Sequence, residues 1–140
     1  MSDIIKKYFH DTEDNQNTFN SPATAAQIAE LASQLGIELP TDYKDFLAFS
    51  NGFEGEVNGA IVILDPVEEI VQNTEDNCGE LFPWAVYLGT NGNLEMFVLD
   101  TRKKPYQFGL LPSIGTADDF IPLGDTFEQF IGRLYNDTAF

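Results

Sequence analysis

Candidate nucleophiles are scarce in this chain. The one cysteine, Cys78, would need a general base such as the one histidine, His10, to act as a nucleophile. The two are far apart in the sequence, and a Ser-His-acid triad would need the same His10. The Gly-x-Ser-x-Gly motif that presents a nucleophilic serine in many hydrolases does not occur. The sequence therefore carries no positive feature of a nucleophilic enzyme.

Metal and phosphate sites are also poorly supported. Zinc needs three or four ligands, whereas Cys and His residues total two here. The acidic stretch of residues 11–15 lacks the glycine and the distal glutamate of an EF-hand, and is more typical of a solvated loop. Residues 52–55 carry an acid where a phosphate-binding loop needs a lysine. We therefore predict no catalytic residue, no metal site and no cofactor.

Some sites depend on distances in space that a sequence does not give. An all-carboxylate site for Ca²⁺ or Mg²⁺, or a glycosidase-like carboxylate pair, could be drawn from the 23 acidic residues. Trp84 and Tyr87 could form a ligand platform, although aromatic strand residues more often pack in a core. A third functional possibility is a small-ligand binder or enzyme that uses a groove on a sheet. Such a protein would have a pocket with convergent polar groups.

Helices are predicted from apolar residues that recur three and four positions apart. They cover residues 3–10, 21–35, 41–50, 67–73 and a last helix that begins at Asp125 or Thr126. Ser21 caps the second helix with Pro22 in its first turn, and Gly36 ends it. Thr41 or Asp42 caps the third helix and Asp65 caps the fourth. The predicted inner face of the last helix is Phe127, Phe130, Ile131 and Leu134.

Strands are predicted over residues 60–64, 84–88, 94–99, 105–110 and 120–123. The apolar run of residues 60–64 is typical of a central strand covered on both faces. Asn91-Gly92 indicates a hairpin, because both residues suit a primed turn. Residues 11–20 and 53–59 are predicted to be loops. We therefore expect an α+β fold with N-terminal helices, a mostly antiparallel sheet of five or six strands and a C-terminal helix.

Length and composition favour one cytoplasmic domain. The 140 residues suit one core, which the 43% hydrophobic content and 12 Phe can fill. No apolar run is long enough to span a membrane, and the first seven residues lack a signal-peptide pattern. The single Cys78 cannot form an internal disulfide, which agrees with the cytoplasm.

Charge is the most unusual property, with 23 acids against seven bases and a net charge of −16. Such a surface repels phosphate backbones, so direct nucleic-acid binding is not expected. It attracts a basic partner and speeds encounter, although acidic surfaces also serve solubility alone or suit a salty cell. No base lies between Lys44 and Arg102, whereas eleven acids do: Asp45, Glu54, Glu56, Asp65, Glu68, Glu69, Glu75, Asp76, Glu80, Glu95 and Asp100.

The stretch from Leu35 to Gly52 reads LGIELPTDYKDFLAFSNG. It resembles the signature of the SUKH superfamily, the Smi/Knr-type domains. The resemblance extends to a hairpin at residues 88–97 and a closing helix at residues 126–131, and covers a core of about residues 21–137 within a single domain. It departs at Asn93, where many members have glycine. The matching residues are expected to hold the fold: Glu30, Leu39, Pro40, Tyr43, Phe46, Leu47, Asn51 and Gly52.

The SUKH resemblance implies a function as well as a fold. Many bacterial members are immunity proteins encoded beside a polymorphic toxin, often a nuclease, which they neutralise by binding. Eukaryotic relatives are scaffolding or regulatory proteins, so a regulatory module with an endogenous partner is the alternative. A nuclease has cationic groups where phosphates bind, and an acidic protein can cover them. We therefore predict a non-enzymatic immunity protein with a cognate toxin as partner, contacted through Phe53, Glu54, Glu56, Glu75, Asp76 and Glu80.

Overall fold

The predicted α+β organisation is present in the computed structural model, which describes residues 2–9 and 18–136. His10 and the acidic stretch of residues 11–15 lie outside the described residues. Within the described ranges the α-helices are α1 Ser2–Tyr8, α2 Ala25–Leu35, α3 Thr41–Phe49, α4 Val67–Asn77 and α5 Phe127–Asn136. The strands are β1 Thr18–Phe19, β2 Phe53–Val57, β3 Ala60–Leu64, β4 Ala85–Thr90, β5 Glu95–Asp100, β6 Gln107–Pro112 and β7 Ile121–Gly124, and a short 3-10 helix spans Ala117–Asp119.

The strands form an antiparallel sheet in which each strand lies beside its neighbour in sequence, from β1 to β7. β3 and β4 are joined by only two residue pairs. The part of β4 before these paired residues lies beside α4 instead. There the Thr74 hydroxyl accepts a hydrogen bond of 2.9 Å from the Tyr87 N–H. The pairing of β3 with β4 requires glycine at position 89, because a Cβ there would overlap the carbonyl oxygen of Ile63.

β2 is a strand where the sequence predicts a loop over residues 53–59, and that prediction is wrong. Val57 and Ala60 pair across the two-residue connection Asn58-Gly59. Asn58 has a φ of 51° and Gly59 a φ of 88°. Positive φ at both central residues gives a primed turn, whose twist matches that of a hairpin. With β1, this strand brings the sheet to seven strands within the described residues, against the predicted five or six.

α2 begins later than predicted. Its N-cap is Thr24, whose hydroxyl accepts a bond of 3.1 Å from the Gln27 N–H, while the Gln27 side chain accepts one of 2.8 Å from the Thr24 N–H. Ser21 precedes the helix, and its carbonyl accepts a bond of 3.0 Å from the Asn51 N–H. The predicted start at Ser21 and Pro22 is therefore wrong, because this segment lies against the end of α3.

The inner face of the sheet packs against the helices and forms the main core. Tyr43, Phe46 and Leu47 of α3 are at most 1% exposed, as their spacing predicts. The predicted face of α5 is equally buried, and the Phe46 and Phe127 rings lie 4.8 Å apart between centroids. Each fully buried side chain of this size contributes roughly 1.5–3 kcal/mol. α3 is thereby packed directly onto α5.

The outer face of the sheet is covered over only part of its width. The end of α4 and the segment after it pack Cys78 and Phe82 against Met96, Val98 and Leu111 of β5 and β6. Over β2 and β3 the same face is more open, and Ile61 of β3 is 49% exposed. The prediction that residues 60–64 are covered on both faces is therefore wrong, because α4 packs along β4 instead.

The N-termini of two helices are capped by side chains from α3 and the residues just after it. The Asp42 carboxylate accepts hydrogen bonds from the N–H groups of Phe127 at 2.9 Å and Glu128 at 3.0 Å, which open α5. Asn51, two residues beyond α3, accepts one of 2.8 Å from the Val67 N–H, which opens α4. The first N–H groups of a helix have no partner within it, and the positive end of the helix dipole favours a carboxylate.

The local caps predicted from sequence are present in part. Thr126 caps α5 as predicted, since its hydroxyl accepts a bond of 3.1 Å from the Gln129 N–H. The predicted caps of α3 and α4 are wrong, because the N-cap positions belong to Pro40 and Pro66, which have no side-chain cap bond. Asp42 is directed to α5, and the Asp65 carboxylate accepts a bond from Asn73 inside α4.

We predict that Asp42→Ala lowers the free energy of unfolding by about 1–2 kcal/mol, because two N–H groups of α5 lose their acceptor. Asp45→Ala on the same helix is the matched control, since Asp45 is exposed, and we expect a change within about 0.5 kcal/mol. Urea unfolding of both variants measures the difference. Equal losses in the two variants would show that the bonds to α5 contribute no stability.

Candidate partner-binding surface

Glu54 and Glu56 alternate with buried residues on β2 and therefore project from the outer face of the sheet. They pair across the hairpin with Ile63 and Ile61 respectively. Directly opposed residues share a face, so the two acids lie beside two isoleucines. Glu54 is exposed and Glu56 is half-buried. The strand thus presents acidic and apolar side chains together.

Glu75, Asp76 and Glu80 belong to the segment that reaches the outer face of the sheet at Cys78. α4 begins against the inner core through Val67 and ends against the outer cluster through Cys78. Glu75 and Asp76 belong to its last turn, and Glu80 follows the helix. Asp76 accepts a bond of 2.9 Å from Gln72. All three acids are exposed to solvent.

A row of paired residues leads across the outer face of the sheet from Glu54 to the cluster beside the end of α4. Glu54 pairs with Ile63, Ile63 with Thr90, and Thr90 with Met96. Met96 belongs to the cluster that Cys78 covers at the end of α4. We call this set the acidic face, and it consists of Glu54, Glu56, Glu75, Asp76 and Glu80.

Phe53 does not belong to this surface, which corrects its prediction as a contact residue. Its side chain is 1% exposed and lies in the inner core. Its ring centroid is 4.8 Å from that of Phe9 and 5.0 Å from that of Phe19. Because β2 is a strand, the residue before Glu54 must face the opposite side of the sheet.

Exposed apolar side chains lie close to the acids in the chain. Leu81 follows Glu80 and is 77% exposed, and Ile61 lies opposite Glu56. Leu94, in the turn between β4 and β5, is 62% exposed. A protein interface commonly combines apolar contacts with a charged rim. The composition of this side of the molecule is therefore suited to a protein partner.

The residues of the SUKH-like motif are mostly structural in position. Leu39, Tyr43, Phe46 and Leu47 are at most 2% exposed. Gly52 has a φ of 97°, and a Cβ there would lie 2.8 Å from the carbonyl oxygen of Leu64. Glu30 differs from these residues because it is exposed on α2, where its Oε1 accepts a bond of 3.1 Å from Gln34. Glu30 thus lies on the surface, outside the core.

The side chains singled out for chemistry have other roles here. Cys78 is buried, and burial raises the pKa of its thiol to about 11, so the thiolate is scarce near neutral pH. The Trp84 ring is covered by the guanidinium of Arg102, which lies 3.8 Å from the ring centre. The same guanidinium forms an ion pair of 2.9 Å with Asp100. Trp84 and Tyr87 pack against the outer cluster, as residues of a core would.

Neither a metal cluster nor a membrane-spanning helix is found in the part of the chain that the structure describes. Residues 2–9 and 18–136 contain no group of three or more His, Cys, Asp and Glu side chains placed to hold a metal ion. Over the same ranges, the helices lack the combination of length and hydrophobicity that a bilayer requires.

A surface cavity of about 500 Å³ lies at the α2–α3 corner. Its lining includes Leu39, Pro40, Asp42, Lys104 and Tyr106. Asp42 is already the acceptor for two N–H groups of α5. One of the polar groups that a ligand would need is therefore used by the fold.

Comparison with known proteins identifies the family. Residues 22–133 match the SMI1 / KNR4 family (SUKH-1). The chain is also 33% identical over 125 residues to the protein named Uncharacterized protein YnaB from Bacillus subtilis (strain 168), covering 87% of this chain and 83% of that protein. The chain therefore belongs to the SMI1 / KNR4 (SUKH-1) family, which confirms the resemblance found in the sequence.

Asp65 lies half-buried where β3 leads into α4. Burial raises the pKa of this carboxyl, the hydrogen bond from Asn73 opposes that change, and the negative charge of Glu69 adds to it. A folded-state pKa above the unfolded value means that the folded protein binds this proton more tightly. The contribution of Asp65 to stability therefore falls as pH rises from the unfolded pKa, near 3.8, through the folded pKa.

We predict that Asp65→Asn stabilises the protein relative to the wild type increasingly as pH rises from about 3 to about 7. The substitution removes the half-buried charge and its repulsion with Glu69, while the amide oxygen can still accept the bond from Asn73. Urea unfolding of both proteins at several pH values measures the difference in free energy of unfolding. A difference that does not change with pH would contradict the assignment.

Proposed function

We propose that this chain is a non-enzymatic immunity protein that binds and neutralises a cognate polymorphic toxin through its acidic face. Membership of the SMI1 / KNR4 (SUKH-1) family makes this role the natural first hypothesis. The observation that carries the proposal is the set of acids on β2 and at the end of α4, all exposed except the half-buried Glu56, in a chain segment that has no Lys or Arg between residues 44 and 102.

The proposed mechanism is steric and electrostatic. A nuclease domain has cationic residues that bind phosphate, and a surface of opposite charge steers the two proteins together. At contact, Glu54, Glu56, Glu75, Asp76 and Glu80 would pair with the cationic groups, while neighbouring apolar side chains exclude water. Substrate is then blocked from the toxin, and no chemical step by this chain is required.

The cytoplasm is the proposed location, because a toxin that cleaves nucleic acid must be stopped before it reaches its substrate there. The alternative function is a regulatory or scaffolding module that binds an endogenous partner and has no toxin. The two differ in whether the chain protects cells from a toxin encoded beside its gene. The charge pattern alone suits a basic partner of either kind.

We predict that co-expression with the toxin domain encoded beside this gene restores growth, and that the two purified proteins bind with an affinity that falls as salt rises. Changing the five residues of the acidic face to Gln or Asn should raise the dissociation constant at least about tenfold. The measurements are colony counts and titration calorimetry at several salt concentrations.

The matched control neutralises five exposed acids on other elements: Asp3, Glu38, Asp45, Asp118 and Glu128. Both variants carry the same net charge. A loss of affinity confined to the acidic-face variant therefore identifies a local binding surface. Equal losses in the two variants would show that only overall charge matters. Absence of both protection and binding in the wild type would reject the immunity role and favour the regulatory module.

A further inference from the structure

α2 and α4 lie side by side and leave a surface groove of about 560 Å³ between them. Leu31 and Val67 are buried at its base, and Val71 is half-buried beside them. Exposed carboxylates stand on both sides, with Glu30 on α2 and Glu68 on α4. The groove thus combines an apolar floor with one acid on each wall.

The charge around this groove has one sign. Neither α2 nor α4 contains a Lys or Arg residue. Glu68 and Glu75 are seven residues apart on α4, which puts them on the same side of the helix about 10 Å apart along its axis. Glu68 of the groove and Glu75 of the acidic face therefore lie on the same side of α4.

The two wall carboxylates are held in position. Glu30 Oε1 accepts a bond of 3.1 Å from Gln34, and Glu68 Oε1 accepts one of 2.7 Å from Asn51. A carboxylate has two oxygens and about four acceptor sites, so each keeps capacity for an incoming donor. Acceptors that are already oriented lose less conformational entropy when a partner binds.

We propose that the groove between α2 and α4 binds an amphipathic helix of the toxin that carries Arg or Lys beside an apolar side chain. This inference rests on the proposed function. The apolar side chain would contact Leu31 and Val71, and the aliphatic stem of the basic residue would lie along the same floor. Its charged group would bond Glu30 and Glu68. A helix that packs into the groove of two others is a common recognition mode.

The central test compares two double variants that change net charge equally. Glu30→Gln with Glu68→Gln removes the wall charges and keeps an oxygen acceptor for Gln34 and Asn51. Glu69→Gln with Glu128→Gln removes two exposed charges outside the groove lining. The probe is the catalytically inactive toxin domain encoded beside the gene, titrated calorimetrically at several salt concentrations.

We expect the groove variant to raise the dissociation constant about tenfold or more and to reduce its salt dependence, with the control within about twofold of the wild type. Gln34→Lys is a second variant, which adds a like charge on the α2 wall and should also weaken binding. Thermal melts followed by circular dichroism confirm that each variant is folded.

The groove inference is overturned if the wild type binds and protects but both groove variants bind with unchanged affinity. The immunity role would stand in that case. A loss of similar size in the control pair would also overturn it, since general charge would then explain the effect. A wild type that neither binds nor protects would reject the proposed function, and the groove inference with it.

Discussion

The constraint on which this fold depends is a set of hydrogen bonds that the α3 region accepts from the N-termini of two other helices. Asp42 accepts from α5, 85 and 86 positions later in the chain, and Asn51 accepts from α4, 16 positions later. Each bond satisfies N–H groups that would otherwise need water, so a shift of α3 would leave the Val67, Phe127 and Glu128 N–H groups without these acceptors. The α3 region therefore fixes the position of α4 and α5 together.

That constraint separates the residues that hold the fold from the acids on its surface. Tyr43, Phe46 and Asn51 are used by packing or capping, and a change there would act through stability. Glu54 of β2 and the exposed acids of α4 lie outside the core. Partner specificity can change on such a surface without loss of the fold.

Local signals predicted the fold well where nothing distant competed with them. Gly36 has the left-handed φ of 68° expected at a helix end, and the predicted inner face of α5 is buried. The start of α2 was harder, because Ser21-Pro22 and the capping box of Thr24 and Gln27 are both valid local signals. Backbone bonds to the end of α3 decide between them, with the Ser21 carbonyl accepting from the Asn51 N–H and the Leu47 carbonyl accepting from the Ala23 N–H.

The candidate surface was predictable in charge but not in geometry. A list of acids follows directly from the sequence, whereas the face on which each lies depends on strand register. Phe53 illustrates the difference, since one position along β2 separates a core side chain from the exposed Glu54. The groove between α2 and α4 could not be predicted at all, because it exists only through the packing of two helices joined by no local signal.

The excess of acid has a physical cost that a partner could offset. Like charges repel in the folded protein, and burial with the nearby Glu69 already raises the pKa of Asp65. A cationic partner would lower that repulsion by binding the folded form, and mass action would stabilise the fold in proportion to the affinity. Binding of such a cationic partner would thus be coupled to the stability of the fold.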